Sequence, residues 1–328
     1  MAMKIDIFAH LMPRKYKDAI YRQTGRKFLM LEVPTLTDLD HRFRIMDTYP
    51  DMVQVVTAVG PVPEAIAKPE RAAEMARLAN DELADVVARY PDRFLAAVAI
   101  LPMNNMDAAL TEAQRAINEL GMKGVIIHTP VNDKPLDLPE FMPLYEMMSG
   151  FDLPIWLHPR REQTPDYASE PTSKYWIWCL WGWPYETTVA MTRLVYSGVF
   201  DKYPGLKFIT HHCGAMVPHF QGRIGCIEGL AKSCGKSFGE NLKRPLLDYY
   251  RMFYNDTAIN GSAPGLMTAY RFFGPDHILF GADFPFEIEH GAGTLRETIK
   301  SIEDMDIPES DRKKIYEDNA RRLLGISV

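Results

Sequence analysis

A (β/α)8 TIM barrel is the fold this sequence predicts, on three observations. Eight short runs rich in Val, Ile, Leu and Phe recur, at residues 5–10, 53–59, 94–101, 124–128, 154–158, 207–212, 252–257 and 277–283, and such runs read as buried strands. The stretches between them carry helical periodicity. Their mean spacing, about 40 residues over a chain of 328, matches eight strand–helix units. A doubly wound sheet would use fewer strands and would tend to place a glycine fingerprint after the first, where this chain reads IDIFAHLMP. No linker composition, low-complexity tract or tandem repeat interrupts the alternation, so residues 1–328 are expected to form one domain. With 47% hydrophobic and 24% charged residues, the chain can fill a substantial core.

The first run ends at His10, and the interval after it, residues 12–40, is too long for an ordinary strand–helix loop. In a barrel it would lie over the catalytic face. The second run leads to a helix over 70–89, begun by Pro69 and striped by Ala73, Ala76, Leu83 and Val87. The third precedes a helix that Asp107 can cap and Gly121 can close. The fourth and fifth end at His128 and His158. A second long interval, 159–186, holds Tyr175, Trp176, Trp178, Trp181 and Trp183. This cluster can form an apolar lid on a planar substrate, with Trp176 and Trp181 foremost, or bury itself against a second subunit. The sixth run ends at His212, and strand alternation then sends His211 to the opposite face, into the helix layer. In the seventh, Asp256 is either an acid behind the site or a loop cap. The eighth ends at Asp283, after Gly281 and Ala282, which let the backbone come close.

Strand ends of a barrel converge on one rim. His10, His128, His158, His212 and Asp283 therefore share a mouth, and neutral imidazole with carboxylate is the donor chemistry of a divalent metal with an open position. For His128 a structural hydrogen bond and a substrate contact are equally compatible with the sequence. His41, His219, His277 and His290 fall in loops or helices, where solvated roles are expected.

The net charge of −6, from 43 acidic and 37 basic residues, offers no field for nucleic acid or an anionic membrane. No apolar run approaches the roughly 20 residues that cross a bilayer. The opening MAMKIDIFAH has no export-signal pattern, and Cys179, Cys213, Cys226 and Cys234 are widely spaced without a CxxC pair. Both point to a reducing compartment, the cytoplasm.

Eight strings in order, IDIFAHLMP, RFRIMD, GMKGVIIHTPVNDKPLD, PIWLHP, GWPYETT, HHCGAMVP, HILFGADFPF and NARRLLGI, resemble the amidohydrolase superfamily. Within it they are similar to the metal-dependent decarboxylase branch that includes aminocarboxymuconate-semialdehyde and γ-resorcylate decarboxylases. The resemblance implies a barrel of the metal-dependent hydrolase type and a carboxy-lyase that removes CO2 without oxidation from a carboxylated aromatic or muconate-like acid. It implies His10, His158 and Asp283 as ligands of a divalent ion, zinc first and manganese second, with His212 and Asp283 catalytic. Arg42 would grip the substrate carboxylate, and Arg223 would be supplied across the interface of a homodimer or higher homo-oligomer. Where the branch usually has His-x-His or Glu-x-His in the first strand, this chain has Phe8-Ala9-His10. Two other readings stay open: hydrolysis or hydration of a small anionic cyclic or enol-acid substrate on the same scaffold, and a ligand-binding barrel without catalysis.

Overall fold

The computed structural model describes residues 2–161, 164–236, 238–239 and 241–326. Seven parallel strands run in sequence order: β1 (Lys4–Leu11), β2 (Met52–Ala58), β3 (Phe94–Ile100), β4 (Val125–Thr129), β5 (Ile155–Pro159), β6 (Phe208–Thr210) and β7 (Tyr254–Asn255). The eighth predicted run has strand-like bridges without a regular ladder. Asn255 pairs with Ile278 and Ala9 with Phe284, both parallel, while Ile7 N donates to Phe280 O at 2.8 Å and His10 N to Phe284 O at 2.8 Å. Residues 278–284 thus join β7 back to β1 and close the (β/α)8 barrel.

Helices cover the outside. Helix Pro69–Arg89 starts on its proline as the sequence indicates, but its buried stripe is Ala72, Met75, Ala76, Ala79, Leu83 and Val86, so Ala73 and Val87 flank the stripe. Helix Met106–Asn118 is capped by Asn105, whose side chain accepts from Ala108 N, with Asp107 in the first turn. Asp107 instead complements the helix dipole. No helix among the described residues is long and apolar enough to cross a membrane.

Inside, the residues below the mouth are large and buried. Trp156 of β5 lies two positions before His158 on the same face and donates through Nε1 to Ile7 O at 3.0 Å, tying β5 to β1 across the interior. Gly124 makes room for it, since a Cβ there would lie 2.6 Å from the Trp156 ring. In β1 the register with β2 shifts between Asp6 and Ala9, a bulge of the kind that re-aims side chains beside sites. Phe8, within that shift, and His10, just after it, both contact the histidine cluster.

Candidate metal and catalytic site

The mouth collects histidines because neighbouring strands end in register. His128 and His158 are paired residues of β4 and β5, their rings 4.9 Å apart. His10 lies 5.3 Å from His158 and 5.9 Å from His211 between ring centroids. Asp283 Oδ1 is 3.2 Å from both His10 Nε2 and His211 Nε2. The sequence-predicted residues His10, His128, His158, His212 and Asp283 are brought together here.

His211 belongs to this cluster, contrary to the expectation that it faces the helices. Phe208 sets the parity of β6 by packing outward on Tyr145 and Phe200, so Ile209 and His211 point inward. The strand stops at Thr210, and His212 and Cys213 then take left-handed backbones, φ 60° and 56°. Once the backbone leaves the extended region, alternation no longer separates the two histidines, and their rings sit 4.0 Å apart.

Each imidazole is oriented through its other nitrogen. His158 Nδ1 lies 2.7 Å from Pro159 O; a carbonyl only accepts, so Nδ1 carries the proton and Nε2 keeps its lone pair. His10 Nδ1 meets Thr57 Oγ1 at 2.9 Å. His211 Nδ1 bonds Asp256, whose other oxygen accepts from Cys213 N and Ala258 N. Asp256 is therefore both the acid behind the site and the loop cap. Gly281 permits this packing, because a Cβ would stand 2.9 Å from Asp256 Cβ and 3.4 Å from Phe8 Cβ.

Burial lowers His10 and His158 below the ordinary histidine range and takes His128 and His212 down to about 3, leaving neutral imidazoles, the form that ligates metal. Burial opposes charge on His211 too, but Asp256 and Asp283 outweigh it and raise it to about 10. For Asp283 burial pulls upward, yet His211 and His10 hold its carboxyl well below the usual range. Two carboxylates facing one imidazole call for a positive charge at this spot, from a proton or from a cation.

The residues fit a divalent ion. His10 Nε2 and His211 Nε2 are buried and make no well-aligned hydrogen bond; both face the same Asp283 Oδ1 at 3.2 Å, so two imidazole nitrogens and a carboxylate oxygen converge on one spot, the donor chemistry of a divalent ion. Ligand atoms of His10, His158 and His211 lie within 4.8 Å of one another, as do those of His211, His212 and Asp283.

Above the cluster lies a cavity of about 470 Å3 lined by His128, His158, Arg160, Arg161, Trp176, Trp178 and Trp183, with residues 28–31 opposite. Both long intervals thus border the site. Trp176 lines it, but Trp181 does not: it is 61% exposed at the start of helix Gly182–Tyr196. Trp178 and Trp183 take the place expected of it. Trp183 also carries a buried Nε1 with no partner.

Arg42 is absent from this lining. It is fully buried, donating through Nε to Gln54 Oε1 at 2.9 Å and through Nη1 to His10 O at 2.7 Å, so its guanidinium braces strands instead of gripping a carboxylate. Arg223 lies on the exposed helix Gln221–Ser233 and borders a different groove, with Asp137, Arg193 and Tyr196. Besides Arg26, the cations lining the cavity are Arg160 and Arg161, which sequence reasoning passed over. Their position directly after the PIWLHP strand was the available signal, since loop residues following a barrel strand face the mouth.

Arg160 also acts on Glu64, whose helix Pro63–Ile66 carries the cavity residues Ala65 and Ile66. Burial raises the Glu64 carboxyl from 4.5 to about 7, with its own backbone, Arg160 and Met103 pulling the other way. Its folded pKa exceeds the unfolded one, so the stability tied to its proton is complete below pH 4.5 and lost as pH rises through 7, on the order of 3 kcal/mol. Glu64→Gln removes this slope, and unfolding free energies from urea titrations between pH 4.5 and 8 will be flatter by that amount.

Residues 5–326 match the amidohydrolase family. The chain is 35% identical over 296 residues to a γ-resorcylate decarboxylase from Polaromonas sp. (88% of this chain, 87% of that protein). Among solved structures it resembles 2,6-dihydroxybenzoate decarboxylase complexed with 2,6-dihydroxybenzoate (TM-score 0.81, 30% identity, 99% of this chain and 100% of that one). It also resembles a dihydroxybenzoic acid decarboxylase from Polaromonas sp. JS666 with bound manganese and the inhibitor 2-nitroresorcinol (TM-score 0.79, 31% identity, 99% and 98%).

Proposed function

The chain belongs to the amidohydrolase family, and on that premise we propose that it is a metal-dependent, non-oxidative carboxy-lyase for a small aromatic acid with an oxygen substituent beside the carboxylate. The observation that carries this reading is a buried set of imidazole nitrogens and one carboxylate that adjoins, through His158, a cavity lined by His128, His158 and three tryptophans. Tryptophan faces suit a planar ring and exclude water from it.

The substrate would lie with its carboxylate toward the floor and its ring between Trp176, Trp178 and Trp183. Arg160 and Arg161 supply positive charge for the anion as it enters, and the free Trp183 Nε1–H can donate to one of its oxygens. His10, His158 and Asp283 would hold the metal, which when bound supplies Lewis acidity that draws electron density from the substrate oxygens. Asp283, held ionised, takes a proton from the substrate hydroxyl or from water and passes it to the ring carbon that bears the carboxylate. That carbon gains the C–H bond, the bond to the carboxylate breaks, and its electron pair restores the ring as CO2 leaves. His212, 4.0 Å from His211 and stacked 6.2 Å from Trp183 between ring centroids, stands beside this transfer as a second proton carrier. His128 borders the cavity as a substrate contact.

An imidazole-rich donor set favours zinc over manganese, whereas manganese occupies the Polaromonas relative. Chelated protein reloaded separately with each ion and assayed with 2,6-dihydroxybenzoate and a panel of salicylates will release CO2 with at least one of them. Failure of every ion-loaded form to release CO2 from any panel member would remove the lyase reading. We also propose a cytoplasmic homodimer or higher homo-oligomer. Four free thiols support the compartment, and Phe220, Ile227 and Leu230, each 44–57% exposed on or beside helix Gln221–Ser233, support the assembly. Sedimentation will show more than one chain per particle, and Arg223 is the residue expected to reach a neighbour.

A further inference from the structure

Phe8 and His211 form an unusual contact for the floor of a metal site. The Phe8 ring is fully buried and stacks on the His211 imidazole, centroids 4.0 Å apart and planes 21° from parallel. It also lies 5.4 Å from His10 and 6.0 Å from His158. A phenyl group sits within the ring of donors and offers no lone pair, so β1 contributes one ligand atom from this face, not two.

His211 makes up the difference. Its Nδ1 is fixed by Asp256, and a carboxylate on one imidazole nitrogen turns the other toward a metal and raises its basicity. That other nitrogen, Nε2, is buried, makes no well-aligned hydrogen bond and stands 3.2 Å from Asp283 Oδ1. His211 is also the one residue common to both donor groups, the first with His10 and His158 and the second with His212 and Asp283. His10 Nε2 and His211 Nε2 both face Asp283 Oδ1 at 3.2 Å, so an ion held by Asp283 and His10 would have the His211 nitrogen beside it.

We infer that His211, seated on Phe8 and oriented by Asp256, is itself a ligand of the divalent ion, completing a set of three imidazoles and one carboxylate with His10, His158 and Asp283. This rests on the metal-dependent reading above. His212, its sequence neighbour, is left free of the metal for chemistry.

Metal affinity and spectroscopy test the assignment without recourse to turnover. Electron spin-echo spectra of the wild-type protein loaded with Mn2+ should show three coupled imidazole nitrogens; two would overturn the proposal. In chelator competition with Zn2+ and Mn2+, His211→Gln should weaken binding at least a hundredfold, Asp256→Asn ten- to a hundredfold, and His212→Gln less than threefold. Adding Phe8→His to His211→Gln places an imidazole from β1 beside the vacated position and should recover at least tenfold of the lost affinity. If His211→Gln binds as tightly as wild type, or His212→Gln loses the metal in its stead, the inference is wrong. Should His211→Gln unfold, the nitrogen count on wild-type protein decides by itself. Wild-type protein that binds neither ion would remove the metal-dependent reading as a whole. Wild-type protein that binds metal and releases CO2 while His211→Gln keeps full affinity would remove this inference alone.

Discussion

Asp283→Asn lowers kcat at least about a thousandfold while KM moves by less than tenfold. The side chain is nearly isosteric, and the left-handed backbone at this position, φ 57°, is one that Asn tolerates as readily as Asp. What changes is proton chemistry. An amide cannot take up a proton and return it to carbon, and a positioned acid or base is worth about 10²- to 10⁴-fold. The substitution also strips a negative charge from between His10 and His211, each 3.2 Å away, so a weakened metal site would add to the loss. The two contributions separate when metal per chain is measured alongside single-turnover CO2 release at saturating ion. Wild-type metal content with a kcat within tenfold of wild type would move the proton-delivering role to His212.

Asp283 was legible in the sequence because it ends an apolar run, and the same holds for His10, His128 and His158. A rim of strand ends is a property of the barrel itself, so a one-dimensional pattern of runs projects onto it directly. His211 was misread for a local reason: parity counted back from His212 assumes an extended backbone, and the chain turns left-handed at that very residue. Anchoring the count on Phe208 would have needed its outer partners Tyr145 and Phe200, which sequence does not supply. The wall residues show a similar limit. Five aromatic rings between 175 and 183 are visible in the sequence, but which of them face the cavity depends on the turn at Tyr175 and Trp176, both at positive φ. Two consecutive non-glycine residues in that region cannot be foreseen from composition.

Arg42 is fully buried and stands outside the cavity lining, and its removal should cost stability above all. Arg42→Met is expected to destabilise the fold by about 3 to 5 kcal/mol, the usual consequence of deleting one member of a buried charge network. The guanidinium joins four parts of the chain: Gln54 of β2, the His10 carbonyl of β1, the Thr35 carbonyl at 3.4 Å, and the Phe284 ring, over which its centre sits at 4.5 Å. Gln54 in turn donates to Asp6, a fully buried carboxyl that burial raises to about 6 even though the Ala282 and Phe8 amides and Arg42 all pull it down. Without the guanidinium, the His10 carbonyl and Gln54 Oε1 lose a donor inside the barrel, and Asp6 loses its buried counter-charge. Arg42→Lys should recover less than half of the loss, because a point charge cannot serve Gln54 and two carbonyls with the geometry of the planar fork. Asp6 also gives the effect a pH signature. Its folded pKa already lies above the unfolded value of 3.8, so stability tied to its proton is present below about pH 4 and lost as pH rises through 6; removing Arg42 raises that pKa further and deepens the loss on the alkaline side. Urea midpoints at pH 5 and pH 8 should therefore differ more for Arg42→Met than for wild type. A variant with an unchanged midpoint and a raised KM would restore Arg42 to the role of a substrate grip.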